Sequence, residues 1–148
     1  MATFARHADL EWTGTLMEGK GTATAGTGAF TLPVTFPSRI DPMMGDGKTT
    51  PEELMAASHA VCYGMVLTNT IGKQGGTARR VSVTATVTAD KSDAGIKVVS
   101  SHLKATVEGL EGIDKAKLSE LATGAEKGCP ISNAIRGTVA ITVEAQAV

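Results

Sequence analysis

The chain has 148 residues, a formal net charge of −1 from 14 Lys+Arg against 15 Asp+Glu, and 42% hydrophobic residues. That length suits one ordinary domain, the apolar content excludes a disordered chain, and the absence of a basic excess argues against nucleic-acid and anionic-membrane partners. The five aromatics, Phe4, Trp12, Phe30, Phe36 and Tyr63, are too few for the stacking platform of a single-strand binder.

A core so poor in aromatics must be built from small and aliphatic side chains. A shared dimer core would relieve that shortage, so an oligomer is expected. The opening residues MATFARHADLE hold no continuous apolar stretch, so no signal peptide is expected. The longest near-apolar run, Ala60 to Leu67, falls short of the roughly 18 residues that span a bilayer. The expected location is therefore cytoplasmic. In a reducing compartment the two cysteines, Cys62 and Cys129, suit buried thiols, metal ligands or redox groups better than a permanent staple.

In chain order, residues 8–14 and the Gly/Thr-rich stretch 19–28 predict two or three antiparallel strands. Pro33 and Pro37 argue against a central strand beyond residue 32. Residues 35–50, with Asp41-Pro42 and Gly45-Asp46-Gly47, read as a loop carrying Arg39. A helix is predicted from Pro51 to Lys73: Thr49 or Thr50 can cap it, Glu52 and Glu53 occupy its first turn, and Gly75-Gly76 ends it. Its middle, LMAASHAVCYGMVL, is apolar or small on every side, which predicts a buried helix. Residues 80–89 alternate with period two, and a second strand is expected over 96–108. Asp114 can cap a helix over 115–128. Cys129 and Pro130 then lead to a short helical turn, 131–135, and a last strand, 138–145. The fold class is α+β: antiparallel sheets around a long buried helix, in one domain over 1–148.

Chemistry centres on the cysteines. A cysteine on an apolar helix is ordinarily a small buried hydrophobe. The pair lies 67 residues apart on different helices, which does not match the local ligand pairs of a zinc site and suits two thiols brought together by the fold. A reactive thiol needs a cation or helix dipole beside it, and Arg39 is the candidate, although an arginine in a loop is ordinarily a solvated charge. His59 shares a helical face with Cys62, which raises a Cys–His hydrolase as a reading; the plainer reading is a histidine satisfied in the core. No carboxylate or oxyanion element supports the hydrolase. His59 and Tyr63 are also the candidate substrate-contacting side chains. No metal-ligand spacing is present, and no cofactor is expected.

The stretch Thr50-Pro51-Glu52-Glu53-Leu54-Met55-Ala56-Ala57-Ser58-His59-Ala60-Val61-Cys62-Tyr63 resembles the helix signature of the OsmC/Ohr peroxidases. Ala125-Glu126-Lys127-Gly128-Cys129-Pro130-Ile131-Ser132 resembles that family's second signature, and Ser38-Arg39-Ile40 its arginine motif, placed as in the OsmC branch. Trp12-Thr13-Gly14 and Gly19-Lys20-Gly21 are similar to its opening strands. The resemblance implies a peroxidase that reduces organic hydroperoxides in preference to hydrogen peroxide, in stress defence. It implies that Cys62 attacks the peroxide, Cys129 resolves, Arg39 stabilises the thiolate and Glu52 holds Arg39. It also implies an intertwined homodimer and an external dithiol reductant, a lipoyl or thioredoxin-like protein. On a straight helix Glu52 and Cys62 are about 15 Å apart along the axis, so each site is expected to take Glu52, and Arg39 with it, from the partner subunit. A non-peroxidatic binding or stress protein on the same scaffold is the alternative.

Overall fold

Alternating Thr and Ala between glycines becomes a three-stranded antiparallel meander in the computed structural model, which describes all 148 residues, Met1–Val148. Its strands are β1 (Ala8–Thr13), β2 (Lys20–Ala25) and β3 (Thr31–Val34), in spatial order β1-β2-β3. Trp12 pairs with Gly21 across β1 and β2. A Cβ at Gly21 would lie 2.6 Å from the Trp12 ring, so only glycine lets the indole lie over β2. β3 extends through Pro33, beyond the predicted limit at residue 32. It is an edge strand, where a missing N–H costs no ladder bond, and the Pro33 carbonyl accepts from Thr49 N at 2.9 Å.

The segment expected to be a loop contains a short helix, α1 (Phe36–Ile40), and a 3-10 turn, Pro42–Met44. Side-chain caps account for both: Thr35 Oγ1 accepts from Ser38 N, and the Asp41 carboxylate from Met43 N. Prolines in their first turns need no N–H partner. The chain divides into two compact units, Met1–Leu54 and Met55–Val148.

Helix α2 (Pro51–Lys73) has the predicted bounds. Thr50 caps it, its hydroxyl accepting from Glu53 N at 3.1 Å, and Thr49 Oγ1 donates to Glu53 Oε2 at 2.8 Å. At the other end Gly75, at φ +78°, turns the chain left-handed. Gly76 N then donates to Ile71 O at 3.0 Å and Gly75 N to Gly72 O at 3.0 Å, the paired bonds of a Schellman stop.

In the second unit the strands are β4 (Arg80–Ser92), β5 (Gly95–Glu108) and β6 (Ala140–Ala147), in spatial order β4-β5-β6. β4 and β5 form an antiparallel hairpin with a register shift at Thr88/Ala89. β6 runs parallel to β5, pairing Ser100 with Ala140 through Val107 with Ala147, so the sheet is mixed and not wholly antiparallel as expected. The intervening helices α3 (Lys115–Gly128) and α4 (Pro130–Ile135) supply the crossover that a parallel pair requires. Asp114 caps α3, accepting from Lys117 N at 2.7 Å.

The core joins one face of α2 to β5 and α3: Tyr63, Leu67, Ile71, Leu103, Ala105, Val107, Leu118, Ala122, Ala125 and Cys129. Four α2 side chains at i, i+4 spacing, His59, Tyr63, Leu67 and Ile71, are buried. The opposite face is open in the single chain, with Val61 58% and Met65 70% exposed. There Ala60, Val61, Gly64 and Met65 of α2, with Val81 and Val83 of β4, line an open groove of about 580 Å³. The all-round apolar pattern of α2 is thus satisfied on one face only. By length and composition α2 would also pass for a membrane span; in the chain its buried face lines the core.

Leu67→Ala is expected to lower stability by about 2–5 kcal/mol through the cavity it leaves. Thr50→Ala should cost about 1 kcal/mol through the lost cap. Urea unfolding followed by circular dichroism measures both.

Candidate active site

Cys62 is half-buried on α2, and Cys129 is fully buried at the junction of α3 and α4. The Cys129 thiol donates to Cys62 Sγ at 3.2 Å. Both cysteines are free thiols. A disulfide is about 2.05 Å long, so the sulfurs are roughly 1 Å from bonding distance. A residue at the α3–α4 break, rather than within a helix, can turn its side chain back onto α2.

The break is held from several sides. Cys129 N donates to Glu126 O at 3.1 Å, and Ser132 N donates to Cys129 Sγ at 3.5 Å. Asn133 Nδ2 donates to Lys127 O at 3.1 Å. Arg136, just past α4, forms an ion pair with the buried Glu126 of α3 at 2.6 Å. Glu126 and Ser132 appeared in the sequence only as members of the motif around Cys129-Pro130, with no role of their own, and Arg136 lay outside it. An isolated serine or a charge in a short helix carries no pattern.

His59 does not face solvent. It is fully buried, its Nδ1 lying 2.8 Å from Ser101 Oγ and its Nε2 2.8 Å from Ser132 Oγ. One nitrogen donates and the other accepts, so both are occupied. Burial lowers its pKa, against the opposing pull of Glu126. Tyr63 is likewise enclosed, and its hydroxyl donates to Ala122 O at 3.2 Å. Burial, helped by Glu126 and Cys129, pushes its phenol well up. The structure places both expected substrate contacts in the core: i−3 and i+1 from Cys62 fall on the inner face of α2.

Burial also raises the Cys62 thiol, as does the Cys129 thiol beside it; the Ile131 backbone N–H works the other way. No cation is paired with either sulfur within the second unit, whose ion pairs are Arg79 and Arg80 with Glu108, Lys104 with Glu144, Lys117 with Glu120, and Arg136 with Glu126.

Arg39 and Glu52 lie together in the first unit. Arg39, in the last turn of α1, donates Nε to Oε1 and Oε2 of Glu52 at 3.1 and 3.2 Å and Nη2 to Oε1 at 2.6 Å. Burial raises the Glu52 pKa, but the Arg39 bonds, its own backbone N–H and the Arg39 charge outweigh this, so the carboxyl is held below its usual range. Arg39 also lines an apolar groove of about 570 Å³ with Leu10, Trp12, Leu16, Phe36 and Leu54.

Fold and site together define an α+β dithiol protein in which a long helix presents a cysteine against a buried partner thiol. The model of the family described as OsmC-like protein matches residues 44–144. The peroxiredoxin OsmC of Escherichia coli K12 is 32% identical over 140 residues, covering 94% of this chain and 95% of that protein. The organic hydroperoxide resistance protein of Xanthomonas axonopodis pv. citri is 31% identical over 129 residues, 84% of each chain. The crystal structure of an organic hydroperoxide resistance protein OsmC from Legionella pneumophila superposes with a TM-score of 0.75 at 25% identity, covering 99% of both chains. The chain belongs to the OsmC-like family.

Because folded His59 holds its proton less tightly than the unfolded chain, the unfolded state binds protons first on acidification. Stability is therefore expected to fall as pH drops below about 6.5, the ordinary histidine value. In urea titrations from pH 7.5 to 5, His59→Gln should remove part of that loss.

Proposed function

We propose that the protein is a thiol-dependent peroxidase that reduces organic hydroperoxides, with Cys62 as the attacking and Cys129 as the resolving thiol. The observation that carries this reading is the 3.2 Å separation of the two sulfurs. Membership of a family whose curated relatives are named peroxiredoxin OsmC and organic hydroperoxide resistance protein supports the peroxidase class.

In the proposed cycle the Cys62 thiolate attacks the terminal peroxide oxygen. The O–O bond breaks, the departing alkoxide takes a proton to leave as alcohol, and Cys62 becomes a sulfenic acid. Cys129 then attacks the Cys62 sulfur. The S–O bond breaks, an S–S bond forms, and the hydroxyl leaves as water with the thiol proton. An external dithiol reduces the disulfide by exchange, through a mixed disulfide; a lipoyl protein and a thioredoxin-like protein both fit. No cofactor enters the cycle, and the reducing cytoplasm is the compartment that keeps it turning.

The thiolate needs a cation, and the raised Cys62 thiol lacks one within its own unit. In this reading the protein works as a homodimer in which Arg39, held by Glu52, comes to Cys62 from a second copy. The ten-residue separation of Glu52 and Cys62 on one continuous helix, and the open apolar face at Val61 and Met65, support that arrangement. The apolar groove beside Arg39 suits the organic tail of a hydroperoxide. The raised thiol favours a second reading, a binding or stress protein without peroxidase activity.

Turnover of cumene hydroperoxide with a dithiol separates the two. The peroxidase reading expects steady turnover that drops to background in Cys62→Ser, while Cys129→Ser stops after one oxidation and accumulates a dimedone-reactive sulfenic acid. The second reading expects no turnover at all. Mixing tests the dimer: Arg39→Ala and Cys62→Ser chains, each inactive alone, should regain part of the unmodified activity after unfolding and refolding together. If Arg39 serves its own chain, the mixture stays inactive.

A further inference from the structure

His59 is a buried imidazole that the proposed cycle leaves without a task. It spans two elements: Nε2 meets Ser132 Oγ on α4 and Nδ1 meets Ser101 Oγ on β5, each at 2.8 Å. Ser132 is itself fully buried, and its backbone N–H points at Cys129 Sγ at 3.5 Å. No buried side-chain polar atom in the chain lacks a hydrogen-bond partner, so His59 has no free group to offer a substrate or a sulfur. What it can do is fix Ser132, and with Ser132 the first turn of α4.

We infer that His59, acting through Ser132, is a positioning residue that aims Cys129 at Cys62. The inference deepens the peroxidase reading, in which Cys129 resolves the oxidised Cys62. α4 is six residues long and follows a break in the helix, so its own hydrogen bonds orient it weakly. The imidazole ties it to α2 and β5, two of the elements that carry the core. The Ser132 N–H then meets the sulfur that must become a thiolate to attack, and an N–H aimed at a sulfur favours its anionic form. Glu126 with Arg136 braces the far end of α4.

The test uses 5,5′-dithiobis(2-nitrobenzoic acid), so it does not depend on peroxide chemistry. The half-buried Cys62 attacks the reagent first, forming a mixed disulfide and releasing one thionitrobenzoate. Cys129 then attacks the Cys62 sulfur, its proton passing to solvent, and the second thionitrobenzoate leaves as the Cys62–Cys129 bond forms. Stopped-flow absorbance resolves the two releases, and Cys129→Ser identifies the second by its loss. The readout is the ratio of the second rate to the first.

In Ser132→Ala and His59→Asn the ratio should fall about tenfold, because asparagine reproduces the Nδ1 position and reaches only Ser101. In His59→Gln, whose amide reproduces the Nε2 position and reaches Ser132, the ratio should stay within about twofold of the unmodified protein. A purely packing role would not rank the two amides in that order. The inference is overturned if Ser132→Ala and His59→Asn keep the unmodified ratio, or if His59→Gln is as slow as His59→Asn. A parallel trial with cumene hydroperoxide keeps the two ideas apart. If the ratios order as expected but cumene hydroperoxide leaves no dimedone-reactive sulfenic acid on Cys62 of Cys129→Ser, the peroxidase reading fails and the positioning role stands.

Discussion

Everything chemical in this molecule depends on keeping a helix break rigid inside a core. Cys129 can lie 3.2 Å from Cys62 only because the chain stops α3, turns at Cys129-Pro130 and starts again as α4. A break exposes backbone groups that a continuous helix would satisfy, and burying them unpaired is costly. Here they are met locally. Cys129 N reaches Glu126 O, Ser132 N reaches the Cys129 sulfur, and Asn133 N reaches Cys129 O. The histidine, the two serines and the Glu126–Arg136 pair are the polar cost of that turn. In return the buried thiol needs no large rearrangement to meet its partner.

Charge and sulfur are kept on separate parts of the sequence. The guanidinium that could stabilise a thiolate is locked to a carboxylate in the first turn of α2, where the helix dipole also favours the negative partner. The fork of three hydrogen bonds fixes the plane of Arg39, and its remaining donors stay available. Cys62, ten residues further along, sits where burial raises the thiol.

How much of this could be read beforehand differed from element to element. The bounds of α2 were legible because proline, threonine and glycine punctuate helices by steric rules that tertiary structure rarely overrides. The strand segments were legible from their alternation, but the direction of β6 was not: period two is the same for parallel and antiparallel neighbours. The short α1 was hidden because two prolines and an aspartate read as a loop, although the same residues can open a helix. Cys62, Cys129, Arg39 and Glu52 came from motif resemblance, and geometry brings the first two together and the last two together. His59 and Tyr63, expected as substrate contacts, are buried with their polar atoms paired, and an apolar helix does not reveal in advance which of its faces is inward. Ser101 left no trace, and Ser132 stood in a motif without a role, since a serine on a strand or a short helix is ordinary until its partner is known.

The facing of α2 has a consequence of its own. Each residue turns the helix by about 100°. Val61, one step before the cysteine, points outward; Tyr63, one step after, points wholly inward. Cys62 therefore occupies the seam between them, the one phase of the helix from which a sulfur can meet both a visitor from solvent and a partner buried beneath it. Its phase is fixed by the buried row His59, Tyr63, Leu67 and Ile71, which packs against the core. A single residue gained or lost between Glu52 and His59 would leave that row, and the sulfur with it, in place. It would instead turn Glu52 by about 100° around the helix relative to the sulfur, with the composition and the helix itself nearly unchanged.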